Sequence, residues 1–202
     1  MLTKKPNKER RIIMKQSSKR IFLIVLAGIL IASWILFGNR QTKQAEAVFL
    51  DKYGLSGLTV EEITNKLDSS TEDPAGLKAS ITGEYLALSD ETTEVKLPLS
   101  ADKFYLSFAP YISQTHPCGF HSLSSCRGEL ANTKFHALIK DSEGNELLNA
   151  DITTMENGFV GVWLPRNIDA TVTVSYNGLV ASAPISTYAD SETCLTTPLQ
   201  LN

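Results

Sequence analysis

Nowhere in its 202 residues does the chain carry a C-x-x-C pair. That absence removes the ligand spacing of zinc fingers and ribbons. It also removes the helix-start dithiol that lowers a thiol pKa in thiol–disulfide exchange enzymes. The three methionines are scattered, so a methionine-rich copper motif is absent. Beyond Ala47 the chain is acidic and has no basic patch, which argues against nucleic-acid binding. No cysteine closely follows the apolar N-terminal run, so lipid attachment there has no nucleophile. Three cysteines cannot all pair within one chain. One is free, metal-bound or paired to another molecule.

Charge is also missing from residues 21–37, I-F-L-I-V-L-A-G-I-L-I-A-S-W-I-L-F. As a helix this run is about 25 Å long, just short of the roughly 30 Å hydrocarbon core of a bilayer. Residues 1–20 set eight Lys and Arg against the single acid Glu9. The positive-inside rule keeps that end in the cytoplasm and places everything after Asn39 outside. The segment reads either as a signal peptide, with Ala45-Glu46-Ala47 as its cleavage site, or as a single membrane anchor. Both readings put the rest of the chain where disulfides persist.

About 155 residues then remain, enough for a true hydrophobic core. Thr59 and Glu62 form a capping-box pattern, with Leu58 and Ile63 placed for a hydrophobic staple. The helix runs to about Leu67 and ends in D-S-S-T-E-D-P. A shorter turn over Val48–Tyr53 stops at Gly54. This helical piece serves as a packing element or lid, or else in a homodimer contact. From Leu77 the pattern changes to period two. Phe104, Leu106 and Phe108 share a face, as do Phe135, Ala137 and Ile139, and Val172, Val174 and Tyr176. Asn177-Gly178 fits a two-residue type I′ hairpin. Short strands at this spacing predict a mainly β, sandwich-like domain. The run from Phe135 to Ala183 also resembles the transthyretin-like and Cna-B-like surface modules in its order of strands and turns. The tail after Thr187 shows little packing pattern of its own.

Four soft ligands crowd one short stretch, T-H-P-C-G-F-H-S-L-S-S-C, residues 115–126. His116 and Cys118 face one side if the chain is extended there. His121 and Cys126 can converge with them in a compact loop. Thiolates and neutral imidazoles favour copper(I) and zinc. The plainer reading is a Cys118–Cys126 staple, worth about 2 kcal/mol for so short a loop. Cys194 complicates both, because a bridge from it to Cys126 or to Cys118 would tie down the tail. Either bridge leaves one thiol beside His116 and His121. His136 reads as an ordinary surface residue, and Trp163 as core.

The longer motifs carry a specific likeness. K-F-Y-L-S-F-A-P-Y (103–111), T-H-P-C-G-F-H-S-L-S-S-C-R-G-E-L (115–130), N-G-F-V-G-V-W-L-P-R (157–166) and C-L-T-T (194–197) resemble the CueP family of periplasmic copper-resistance proteins. The resemblance implies an extracytoplasmic copper-binding protein, not an enzyme. It would act in copper tolerance or in copper transfer to an accepting protein, with thiol-coupled reduction of copper(II). Cu(I) is the expected cargo, with zinc second. The implied ligands are Cys118, Cys126, Cys194, His116 and His121. The resemblance further implies a Cys126–Cys194 disulfide, Cys118 as the exchange thiol, and a thiol reductant as partner. The expected organisation is a basic tail or n-region (1–20), an anchor or h-region (21–37), a linker with a small helical region (38–76) and a β-sandwich-like metal-binding domain (77–202). The rival expectation is a non-catalytic surface or structural module whose cysteines only staple the sandwich.

Overall fold

The computed structural model describes residues 40–69 and 76–202. The expected apolar span over residues 21–37 and its basic flank lie outside the described residues. No helix among the described residues is long and apolar enough to cross a membrane. The chain divides into two compact units between Val48 and Phe49, and every described strand lies in the second.

Helix α1 is described over residues 40–52, longer than the turn expected from Val48. It ends where Gly54 takes φ 64°, a left-handed position that glycine adopts without steric cost. Helix α2, Val60–Asp68, begins as its capping box predicts. The Glu62 amide donates to Thr59 Oγ1 at 3.2 Å, and the Thr59 amide donates to Glu62 Oε2 at 2.8 Å.

The rest is mainly β. Strands β1 (Lys78–Ile81), β2 (Tyr85–Ser89), β3 (Glu94–Pro98) and β5 (His121–Ser122) form one antiparallel sheet in the order β3-β2-β1-β5. Strands β6 (Lys134–Asp141), β7 (Glu146–Thr153), β9 (Asp169–Tyr176) and β10 (Leu179–Ser186) form a second, ordered β10-β9-β6-β7. Strand β4 (Lys103–Phe108) is the centre of a third, flanked by β8 (Val160–Pro165) and, in parallel, by β11 (Cys194–Leu195). The β9–β10 hairpin turns at Asn177 and Gly178, both at positive φ, as a type I′ turn requires.

Strand β4 organises the molecule because both of its faces are buried. Phe104, Leu106 and Phe108 pack with Phe135, Ala137, Ile139, Val172 and Val174 into the sandwich core. On the opposite face Tyr105 joins a second core made by Phe49, Ile63, Ile81, Leu86 and Leu88. Trp163 lies half-buried against this second core. The tail corrects the sequence reading. Cys194 and Leu195 pair with Ser107 and Phe108, while Leu199 and Leu201 are buried in the sandwich core. Its apolar residues form no run long enough to show a period, yet Leu199 and Leu201 are held by main-chain bonds to Tyr111, at 3.2 and 2.8 Å.

Candidate metal centre

The centre lies where the stretch Cys118–Cys126 and strand β11 meet the Tyr105–Ser107 face of β4. Strand β5 contributes His121, which pairs with Ile81 of β1 and is fully buried. Strand β11 contributes Cys194. The loop before β5 contributes Cys118, and the loop after it contributes Cys126. Thr193 ties these pieces together: its Oγ1 donates to the Ile81 carbonyl at 2.6 Å and accepts the His121 amide at 3.0 Å. Upstream, the Glu129 carboxylate accepts the Ile112 and Ser113 amides at 2.6 and 2.9 Å. That contact holds the chain just before His116. The loop after Cys126 is seated by close packing of Gly128 on Gly158, where a side chain on either glycine would strike the other's carbonyl.

One ligand atom from each of Cys118, His121, Cys126 and Cys194 lies within 4.8 Å of all the others. Cys118 and Cys194 form a disulfide, with Cα atoms 5.5 Å apart. Cys126 is a free, buried thiol whose Sγ is 3.6 Å from Cys118 Sγ. This corrects the pairing that the resemblance implied. The Thr193 and Cys194 amides both donate to the Gly119 carbonyl, at 2.9 and 3.1 Å. That clamp sets Cys118, one residue before Gly119, directly beside Cys194 and leaves Cys126 as the thiol. His116 is half-buried and lies outside the four-atom group, its ring 6.3 Å from that of Phe159. His136 is on the surface, paired with Asp151 at 3.1 Å.

His121 uses both ring nitrogens. Nδ1 is 3.6 Å from Cys194 Sγ, and Nε2 is 2.7 Å from Asp68 Oδ1. Asp68 and His121 are both fully buried. Burial opposes the imidazolium, but hydrogen bonds to Asp68 and Cys126 outweigh it and raise the His121 pKa to about 9. The Cys126 thiol moves the other way. Burial resists its thiolate, yet hydrogen bonds from His121 and His116 bring its pKa down to about 7. The two groups therefore form an imidazolium–thiolate pair near neutral pH. Burial beside Asp68 pushes the Tyr105 phenol well above its ordinary value.

Sequence reasoning missed Asp68, Tyr105 and Asn157. Asp68 accepts from Tyr105 Oη at 2.5 Å, from Asn157 Nδ2 at 2.9 Å and, more weakly, from Ser107 Oγ at 3.5 Å. In the sequence Asp68 looks like a helix end and Asn157 like a turn signal. Nothing local shows that Asp68 meets a histidine 53 residues on, or that Asn157 meets Asp68 across 89 residues.

The arrangement is a soft donor set backed by a buried carboxylate. Residues 62–200 match the family described as periplasmic copper-binding protein CueP. The chain belongs to this family. Among solved structures it is similar to the crystal structure of S.CueP, at 49% identity and a TM-score of 0.74. That similarity covers 78% of this chain and 97% of the other. Among curated proteins no match is found.

Proposed function

We propose that the chain is an extracytoplasmic copper-binding protein whose reduced Cys118, Cys126 and Cys194, together with His121, hold Cu(I). One observation carries this reading: three sulfurs and one imidazole nitrogen lie within 4.8 Å of one another. Donor separations of about 4 Å suit an ion held by metal–sulfur bonds near 2.3 Å. Sulfur and imidazole together select a soft cation, so Cu(I) ranks before zinc. His116, at the rim on the Cys126 side, is an auxiliary ligand. The family's periplasmic setting supports a site outside the cytoplasm.

The disulfide sets the state of the site. Oxidised, only Cys126 retains a thiol. Reduced, all three sulfurs are open to copper. If copper arrives as Cu(II), the Cys118 and Cys194 thiols supply two electrons to two ions. Two Cu(I), two protons and the Cys118–Cys194 disulfide result. The reaction is stoichiometric until an external thiol reductant reopens the bond. Copper tolerance or transfer to an acceptor follows from reversible capture of this kind.

Competition with a chromophoric Cu(I) chelator tests the site. The reduced protein binds one Cu(I) tightly, and Cys126→Ser and Cys118→Ser each weaken binding at least tenfold. Equal binding by all three forms removes the proposal. A staple-only module predicts that equality, but it gives no use to a buried thiol 3.6 Å from the disulfide.

A further inference from the structure

We propose that Asp68 is the positioning residue of this site: its carboxylate accepts the His121 Nε2–H and so leaves Nδ1 as the ring atom that faces the sulfurs. The inference rests on the copper-binding reading, but its structural half can be tested without copper.

The donor count around Asp68 fixes the direction of the His121 hydrogen bond. Oδ1 takes the Asn157 amide at 2.9 Å and His121 Nε2 at 2.7 Å. Oδ2 takes the Tyr105 hydroxyl at 2.5 Å, with the Ser107 hydroxyl at 3.5 Å. An ionised carboxylate only accepts. Nε2 must therefore carry its proton, and in the neutral ring Nδ1 keeps the lone pair. Nδ1 is the nitrogen 3.6 Å from Cys194 Sγ. A second ring nitrogen anchored on a carboxylate is the usual device for aiming a metal-binding histidine.

The placement of Asp68 points the same way. It is the last residue of α2, where the helix dipole disfavours an anion. It is also fully buried, where a carboxylate is costly unless every lone pair is matched. Helix stability alone gives no reason for an acid there. Asn157 Nδ2 also donates to the Asp68 backbone carbonyl at 2.7 Å, closing one of the helix's unpaired C-terminal acceptors. The surroundings thus hold both the charge and the main chain of Asp68 in place. A break in local preference compensated this fully is expected where a site needs the residue. Through Asp68, helix α2 sets the orientation of a ligand on β5.

Two measurements on the full chain test the assignment. Nitrogen NMR of the His121 ring, taken in the metal-free protein above the ring's titration, reads the tautomer directly. The Nε2–H form is expected, and a predominant Nδ1–H form in the wild type overturns the proposal whatever copper does. Cu(I) affinity of the reduced protein is then compared across two variants. Asp68→Asn keeps an oxygen acceptor toward Nε2 and stays within about tenfold of wild type, with the tautomer retained. Asp68→Ala removes the acceptor, lets the ring take both tautomers and weakens Cu(I) binding about 10–100-fold. Wild-type affinity in a folded Asp68→Ala protein, or loss of affinity with the tautomer unchanged, rejects the positioning role. Should wild type itself fail to bind Cu(I), the copper reading falls while the tautomer result stands separately.

Discussion

At the scale of single residues, the centre is governed by one proton shared between a ring and a thiol. Cys126 is placed to lose its proton near pH 7 because His121 and His116 favour its thiolate over the objection of burial. Above pH 7 Cys126 is then mainly thiolate, where a thiol titrating at the ordinary 9.0 is still mainly protonated. Lowering the pH through 7 restores the thiol, so nucleophilicity falls with acidity. Thiolate absorbance in the disulfide-containing protein is expected to titrate with a midpoint near 7. His121→Asn removes the main stabilising partner and moves that midpoint upward. An unshifted midpoint in this variant would mean that the ring does not hold the thiolate. This shift was only partly legible in the sequence. The short spacing among His116, Cys118, His121 and Cys126 predicted proximity, but not which cysteine stays out of the disulfide. That choice depends on the Gly119 carbonyl, which clamps Cys194 beside Cys118.

At the scale of elements, strand β4 is the hinge between core and site. Its alternation sends Phe104, Leu106 and Phe108 into the sandwich and turns Tyr105 and Ser107 toward Asp68. Room for Tyr105 comes from β8. A Cβ at Gly161 would collide with the Tyr105 hydroxyl. Gly161→Ala therefore overpacks the pair and lowers stability by about 2 kcal/mol. Denaturant unfolding checks this, and a change below about 0.5 kcal/mol contradicts the close packing. The effect extends to the site, since a displaced Tyr105 leaves Asp68 Oδ2 with only the weak Ser107 contact. At the start of α2, Thr59→Ala removes the cap and costs about 1 kcal/mol. That variant leaves the Cys126 titration unchanged, which separates general loss of helix stability from loss of the centre. Caps, turns and alternation were readable because each is written within a few neighbouring residues. Thr59 with Glu62, Asn177 with Gly178, and the β4 apolar face all belong to this kind. The space under Gly161 and the buried seat of Asp68 depend on strands distant in sequence, so no local pattern announced them.

At the scale of the whole molecule, one covalent bond ties the tail to the loop that carries the centre. The Cys118–Cys194 link spans 76 residues and encloses strands β5 to β10. Closing a loop of that length removes chain entropy from the unfolded state worth about 4 kcal/mol. Reduction gives up this contribution, and at the same time it frees the sulfurs proposed to capture Cu(I). The reduced, metal-free protein is therefore the least stable of the three states. Thermal unfolding is expected to show the oxidised form highest, the reduced form lowest, and the reduced form recovering when Cu(I) is added. With free Cu(I) at about a thousand times its dissociation constant, mass action restores about 4 kcal/mol, comparable to the lost loop closure. Cys126→Ser keeps the disulfide and the oxidised stability but recovers less on Cu(I) addition. A reduced protein that melts at the same temperature with and without Cu(I) would contradict this coupling. In this scheme the ion takes over the crosslink that the disulfide gives up. It holds β11 and the Cys118 loop together through three sulfurs while Asp68 fixes the ring from behind.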